Sequence, residues 1–243
     1  MKVDIRRGTS LSLGLALGAP PVMFLVVIVA ASIVVGASGV ADPEAIAAAV
    51  TRATPWLLLA AQVAMLGVLA LIYRMDPTAQ TRFSWRAGSG WRRAAALGAA
   101  AGVALALLYV SALSPAMVWL QRTLGDYVPA GELLPALGTS LAPFFIANVV
   151  LAPFVEEALY RGYALPRLID RFGLPLGLTL HAIGFGLLHW SGGAWYMLLT
   201  GVIAGGVLAA LALWRRDLSA AYAAHLALNL VEFGFVAWSV LAG

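Results

Sequence analysis

Two adjacent carboxylates and an arginine interrupt a hydrophobic stretch past the middle of the chain. They are Glu156, Glu157 and Arg161, in the segment APFVEEALYRGYALPRL of residues 152–168. Successive helical residues turn by about 100°, so Glu157 and Arg161, at positions i and i+4, share a face and form a natural ion pair. Glu156 points away from that pair. The spacing therefore predicts one carboxylate neutralised by a cation and one left for acid–base chemistry. A competing interpretation is a helix end at the cytoplasmic surface that carries ordinary charges.

Two further polar segments follow, each inside an apolar run. GFGLLHW carries His189, and HLALNL carries His225 and Asn229 one helical turn apart. Imidazole, amide and carboxylate groups suit hydrolysis, as a base and as donors to a developing oxyanion. The same residue types also link membrane helices by hydrogen bonds, so each segment alone leaves both interpretations open. His181 and Glu232 lie on the same helical faces, and the sequence assigns neither a role.

The composition shows which elements must position these groups. The chain is 62% hydrophobic and 11% charged, with a mean hydropathy of +0.92, which is far from a soluble domain. A membrane-spanning helix needs about 20 mostly apolar residues. Seven segments qualify, and the fold predicted from them is all-α: a polytopic membrane helix bundle of about seven transmembrane helices with a polar catalytic cavity in the C-terminal helices. The segments are 18–40, 54–73, 94–119, 138–159, 174–190, 194–214 and 219–241.

Polar residues inside these segments cluster in the C-terminal part of the chain. The division predicted is an N-terminal scaffold of transmembrane helices, residues 1–137, and a catalytic transmembrane region, residues 138–243. Between the first two spans, Asp42–Arg52 is predicted to form a short helix on the outer surface, with Asp42 as its cap. Residues 124–136 are predicted to form an outer loop.

The basic residues predict the orientation. Thirteen of the 15 lie at the N-terminus or after the second, fourth and sixth spans, so by the positive-inside rule the N-terminus is cytoplasmic and the protein is a multi-pass protein of the plasma membrane. The basic loop TRFSWRAGSGWRR, with its tryptophans, is predicted to contact membrane lipid and not nucleic acid. The chain has no cysteine, which excludes disulfides, thiolate metal sites and a cysteine nucleophile.

Three motifs together carry a family resemblance. EEALYR, FGLLH and HLALN fit E-E-x-x-x-R, F-x-x-x-H and H-x-x-x-N, in that order and on separate hydrophobic segments. The set resembles the CPBP family of intramembrane proteases, which includes the CAAX prenyl endopeptidases and bacteriocin-processing or self-immunity proteins. The resemblance covers roughly residues 138–235. It implies an endopeptidase that cleaves a membrane-associated protein or peptide, with lipidated substrates among the candidates.

The resemblance also implies roles for the matched residues. It implies that Glu156 activates the attacking water and that His189 is its partner across the cavity. It implies that His225 and Asn229 hold the water, a metal or the developing oxyanion.

Further expectations concern the Glu157–Arg161 pair and the use of a metal ion. Glu157 and Arg161 match the family pattern and are expected to support the site. The chain lacks the H-E-x-x-H motif of helical zinc proteases. A zinc site of Glu156, His189 and His225 and a metal-free mechanism, in which Glu156 acts directly, are both open.

Two other classes of function compete with a protease. A proton-coupled transporter also buries Glu and His, but it predicts matching halves with broken spans, and the polar residues here are concentrated in one half. A non-proteolytic membrane scaffold or immunity protein would not need every reactive residue of the three motifs, and all are present.

Overall fold

The computed structural model describes residues 5–76, 78, 83, 85, 89–130 and 140–242. Three basic residues that were counted for the orientation, Lys2, Arg82 and Arg86, lie outside the described residues. The second half of the predicted outer loop 124–136 also lies outside them.

The described residues form a bundle of seven helices. Six are long and apolar enough to cross a membrane, and the remaining one, Leu174–Leu188, is a shorter apolar helix of 15 residues. The predicted all-α, multi-pass membrane bundle is therefore confirmed. The helices are α1 Ile5–Ala37, α2 Pro43–Met75, α3 Trp91–Leu124, α4 Leu141–Phe172, α5 Leu174–Leu188, α6 Ala194–Arg215 and α7 Ser219–Ala242.

The start of α2 confirms one prediction and corrects another. The Asp42 side chain accepts hydrogen bonds from the backbone N–H groups of Glu44 and Ala45, both at 3.2 Å, and so caps the helix. The predicted short surface helix is not separate, because α2 runs without a break through Pro55. The alanine-rich turns before Pro55 have high helix propensity, so the helix continues across the one hydrogen bond that proline removes.

The length of α4 corrects the expected boundary of the fourth span. The span was predicted to end at residue 159, but the helix continues to Phe172, and every residue in 155–168 is buried. The two carboxylates and Arg161 therefore lie inside the bundle, and the surface-end interpretation is wrong. The prediction failed because a span was ended by hydropathy just before Arg161, although this charge is paired with Glu157 inside the protein. Arg161 is also removed from the loop residues that supported the orientation.

Contacts between the ends of helices define two faces of the bundle. On one face, Arg167 Nη2 at the end of α4 lies 2.9 Å from Asp76 Oδ2 at the end of α2. On the other face, Asp126, after α3, accepts a hydrogen bond from the backbone N–H of Ala194 at the start of α6, at 2.9 Å. Neighbouring helices thus run in alternating directions, as short connections require.

The helix α3 packs against α7 through glycines. A methyl group at Gly98 would lie 2.2 Å from the carbonyl oxygen of Ala220, and one at Gly102 would lie 2.0 Å from that of Ala224. Only glycine permits this approach of two backbones, and the spacing is the small-xxx-small pattern of membrane helix pairs. The contact fixes the turn of α7 that carries His225 of the HLALNL segment.

Candidate active site

The centre of the site is a carboxylate shared by two donors. Glu157 Oε1 on α4 lies 2.9 Å from Arg161 Nη1 and 2.8 Å from His225 Nδ1 on α7. The side chains of Glu157 and Arg161 are fully buried. The predicted pair is therefore present, and its carboxylate also fixes the orientation of the histidine ring.

Arg161 is held by three different kinds of group. Besides Glu157, its Nη2 donates to the carbonyl oxygen of Gly205 on α6 at 3.4 Å. Its guanidinium carbon lies 3.9 Å from the centre of the Phe185 ring on α5, a cation–π distance. One side chain thus joins α4, α5 and α6 around the site.

Glu156 faces the other side of the same histidine. Its Oε2 lies 3.9 Å from His225 Nε2, which is longer than a direct hydrogen bond. Its Oε1 accepts a hydrogen bond from Gln62 Nε2 on α2 at 3.3 Å. All three side chains are buried. The two adjacent carboxylates therefore flank His225, with Glu157 on Nδ1 and Glu156 facing Nε2.

His189 lies close to this cluster without joining it directly. Its Nδ1 is 2.9 Å from the carbonyl oxygen of Phe185, so Nε2 is the ring nitrogen left for other contacts. The Phe185 ring contacts both histidines, with its centre 5.0 Å from that of His189 and 6.4 Å from that of His225. Among the described side chains, no ion pair joins His189 to Glu156.

Asn229 has a structural partner that follows from local helix geometry. The segment Phe145–Leu151 is π-helical, and the N–H of Ala152 donates to Ala147 O, five residues back. The next residue, Pro153, has no N–H to give to Asn148 O. Asn229 Nδ2 donates to that carbonyl oxygen at 2.7 Å. The asparagine therefore links α7 to α4, as the hydrogen-bond interpretation anticipated, and it keeps its Oδ1 and one N–H for other contacts.

The two unassigned polar residues lie at the edges of the cluster. His181 is buried, and its ring stacks on Phe185 at 6.4 Å between centres. Glu232 is half-buried and close enough to His225 to interact with it electrostatically. Neither residue touches Glu156 or Glu157 through a hydrogen bond within the described part of the chain.

The predicted metal ligands do not fit a metal site. No group of three His, Asp or Glu side chains that could hold a metal ion occurs among the residues that the structure describes. Zinc ligands surround the ion at about 2.0–2.2 Å, whereas among the described side chains the imidazole of His189 forms no ion pair with Glu156 and contacts the carbonyl oxygen of Phe185 through Nδ1. The described residues therefore do not supply a three-ligand zinc site.

The loop that follows α3 holds the segment after His189. Asp126 accepts hydrogen bonds from the N–H groups of Ala194 at 2.9 Å and Trp195 at 3.4 Å, and Tyr127 OH donates to the carbonyl oxygen of Trp190. Burial raises the pKa of Asp126, but these N–H groups, that of Tyr127 and the Gln121 side chain outweigh it, so the pKa lies below its ordinary value. The N-cap residue of α6 is Gly193, which has no side chain to accept these hydrogen bonds, so the Asp126 carboxylate caps the helix instead.

Sequence reasoning missed two residues that shape the site, Gln62 and Asp126. Gln62 is a single polar residue in the apolar run LLLAAQVAMLGVLALI, and that isolation was a usable signal. Asp126 is one acidic residue in a polar loop and gave no signal. The scaffold thus supplies a residue to the site, although the division at residue 137 stays a prediction.

A multi-pass helical bundle that buries two carboxylates around a histidine defines a candidate intramembrane hydrolase. Comparison with known families gives the class more specifically: residues 138–231, from the segment before α4 to the middle of α7, match the family model described as type II CAAX prenyl endopeptidase Rce1-like. This match confirms the resemblance drawn from the three motifs, and it implies an intramembrane protease with a protein or peptide substrate. Searches of curated proteins and of solved structures found no match.

Proposed function

We propose that the protein is an intramembrane endopeptidase in which Glu156 activates the water that attacks the substrate peptide bond. The observation that carries the proposal is the asymmetry of the two carboxylates. Glu157 is committed to Arg161 and His225, whereas Glu156 Oε2 faces His225 Nε2 across 3.9 Å. A gap of that length leaves the carboxylate oxygen free to receive a proton.

The chemistry follows from this arrangement. Glu156 takes a proton from water, the water oxygen bonds to the carbonyl carbon, and the carbonyl oxygen becomes an oxyanion. Glu156 then gives the proton to the amide nitrogen as the carbon–nitrogen bond breaks, which frees the amine and leaves the carboxyl product. Because His225 Nδ1 donates to Glu157, its Nε2 accepts a hydrogen bond from the water when the ring is neutral and donates one to the oxyanion when the ring is protonated.

His189 and Asn229 have assisting roles in this proposal. His189 contacts the Phe185 carbonyl oxygen through Nδ1 and keeps Nε2 available to hold the substrate or its leaving group. Asn229 uses one N–H to fix α7 on α4 and has another with which to bind the substrate backbone. Both residues act by placing the scissile bond against Glu156.

A comparison of membrane peptides tests the proposal. Cells carrying Glu156→Gln should accumulate a membrane peptide that wild-type cells cleave, since the amide keeps the shape of the side chain and removes the proton acceptor. The purified variant should cleave that peptide about 10²–10⁴-fold more slowly than wild type. The control is Glu44→Gln, which alters an exposed carboxylate on the surface end of α2 and should leave cleavage unchanged.

The test can also fail clearly. If no peptide accumulates, or if purified Glu156→Gln cleaves at the wild-type rate, Glu156 is not the base. A non-proteolytic scaffold or immunity protein would then be the better interpretation of the buried cluster.

A further inference from the structure

A glutamine from the N-terminal half of the bundle contacts the proposed base. Gln62 lies on α2 and is 4% exposed. Its Nε2 donates to Glu156 Oε1 at 3.3 Å, a contact between residues 94 positions apart in the sequence. Gln62 Oε1 is buried and has no hydrogen-bond partner among the described residues.

The orientation of the amide is set by chemistry. An ionised carboxylate only accepts hydrogen bonds, so the NH₂ group and not the oxygen must face Glu156. The amide oxygen then points elsewhere, as a buried acceptor beside the carboxylate. A buried acceptor of this kind requires a donor, and a water positioned for attack has a second O–H to give.

We propose that Gln62 is a positioning residue for the reaction: its NH₂ group holds the Glu156 carboxylate, and its oxygen accepts a hydrogen bond from the attacking water. The inference rests on the proposed function, because it assumes that Glu156 is the base. It assigns to the N-terminal helices, which carry none of the three motifs, a part in the active site.

Other charged and titratable groups also act on Glu156 and must be held constant in a test. On its own helix they are Glu157, Tyr160 and Arg161, and from other helices they are Tyr196 on α6 and His225 on α7. None of them is altered by a substitution at Gln62. A change in the titration of Glu156 can therefore be assigned to the amide.

Two substitutions separate positioning from packing. Gln62→Met keeps the length of the side chain and removes both hydrogen bonds, and Gln62→Glu places a second carboxyl group next to Glu156. The matched control is Leu69→Met, which introduces the same side chain at another buried position of α2. All three are compared with wild type in detergent or in lipid vesicles.

The first measurement is an infrared titration of the Glu156 carboxyl band, assigned by its loss in Glu156→Gln. A donated hydrogen bond favours the ionised carboxylate, so the midpoint should move to higher pH by about one to two units in Gln62→Met. It should move further in Gln62→Glu, where a like charge opposes ionisation, and stay unchanged in Leu69→Met.

The second measurement is the pH–rate profile for the membrane peptide that accumulates with Glu156→Gln. The acidic limb should move with the infrared midpoint, the plateau kcat of Gln62→Met should fall about tenfold, and KM should change little. A purely structural role would lower yield without moving the limb.

The outcomes separate this inference from the proposed function. Unchanged infrared midpoints in both Gln62 variants would overturn the inference even if Glu156→Gln is inactive. A shifted midpoint in an enzyme whose Glu156→Gln variant stays active would overturn both the positioning role and the assignment of Glu156 as the base.

Discussion

Removing the charge of Glu157 should lower both the stability and the activity of the protein. In Glu157→Gln the fully buried guanidinium of Arg161 loses its ion pair at 2.9 Å, the only one it forms among the described residues, and keeps the Gly205 carbonyl and the Phe185 ring. Breaking a buried ion pair by removing one partner costs about 3–5 kcal/mol. In the same variant the His225 ring exchanges an ionised acceptor for a neutral amide, so cleavage should fall even in the protein that remains folded.

The reverse substitution should cost less. In Arg161→Gln the Glu157 carboxylate keeps His225 Nδ1 as a donor at 2.8 Å, so its charge is not left alone. We therefore expect Glu157→Gln to be the more destabilising of the two. The double variant should recover part of the loss, because no unpaired buried charge remains.

Thermal unfolding of the four proteins in detergent, with cleavage measured on the folded fraction, completes the double-mutant cycle. The reasoning is refuted if Arg161→Gln is as destabilising as Glu157→Gln, or if the two losses simply add. It is also refuted if Glu157→Gln is as stable and as active as wild type. Glu157 would then be neither the partner of the arginine nor the support of the histidine.

Three further predictions follow from the contacts around the site. Gly102→Ala should lower thermal stability and cleavage, because its methyl group would lie 2.0 Å from Ala224 O and overpacking costs about 1–3 kcal/mol. The control Gly67→Ala on α2, where no described atom of another helix lies within 4 Å of the added methyl group, should lower neither. Equal melting curves for the two variants would contradict this. The lowered pKa of Asp126 means that its stabilising effect is present above the unfolded pKa of about 3.9 and is lost as the pH falls through the lower folded value, so the stability difference between wild type and Asp126→Asn should shrink below about pH 4. A difference as large at pH 3 as at pH 7 would show that Asp126 acts in another way. Because no three metal-ligating side chains gather in the described part of the chain, cleavage should survive dialysis against a strong chelator, and loss of activity restored by zinc would contradict this.

The sequence predicts the membrane bundle and the residues of the candidate site, because hydropathy and the spacing within the three motifs are local patterns. It does not predict where α4 ends, since the cost of a buried charge depends on partners that lie far away in the chain. The pairing of Glu157 with Arg161 is local and was predictable, whereas its second bond to His225 joins residues 68 positions apart. The isolation of Gln62 on an apolar helix was visible in the sequence, but its partner Glu156 lies 94 positions away and is identified only when the helices pack.

The helix α4 that carries both carboxylates depends on the rest of the bundle for its own geometry. Each of its two π-helical segments, Phe145–Leu151 and Glu157–Ala164, ends two residues before a proline: the N–H of Ala152 donates to Ala147 O before Pro153, and that of Leu165 donates to Tyr160 O before Pro166. Each proline leaves a carbonyl without its helical donor, and at Asn148 the replacement comes from the Asn229 side chain of α7. The π-helical turn at Asn148, of a kind uncommon in proteins and frequent at functional sites, is thus stabilised by a group on another helix. A substitution at such a contact changes the local shape of α4 as well as its stability, so positions distant in sequence control how the carboxylates face His225.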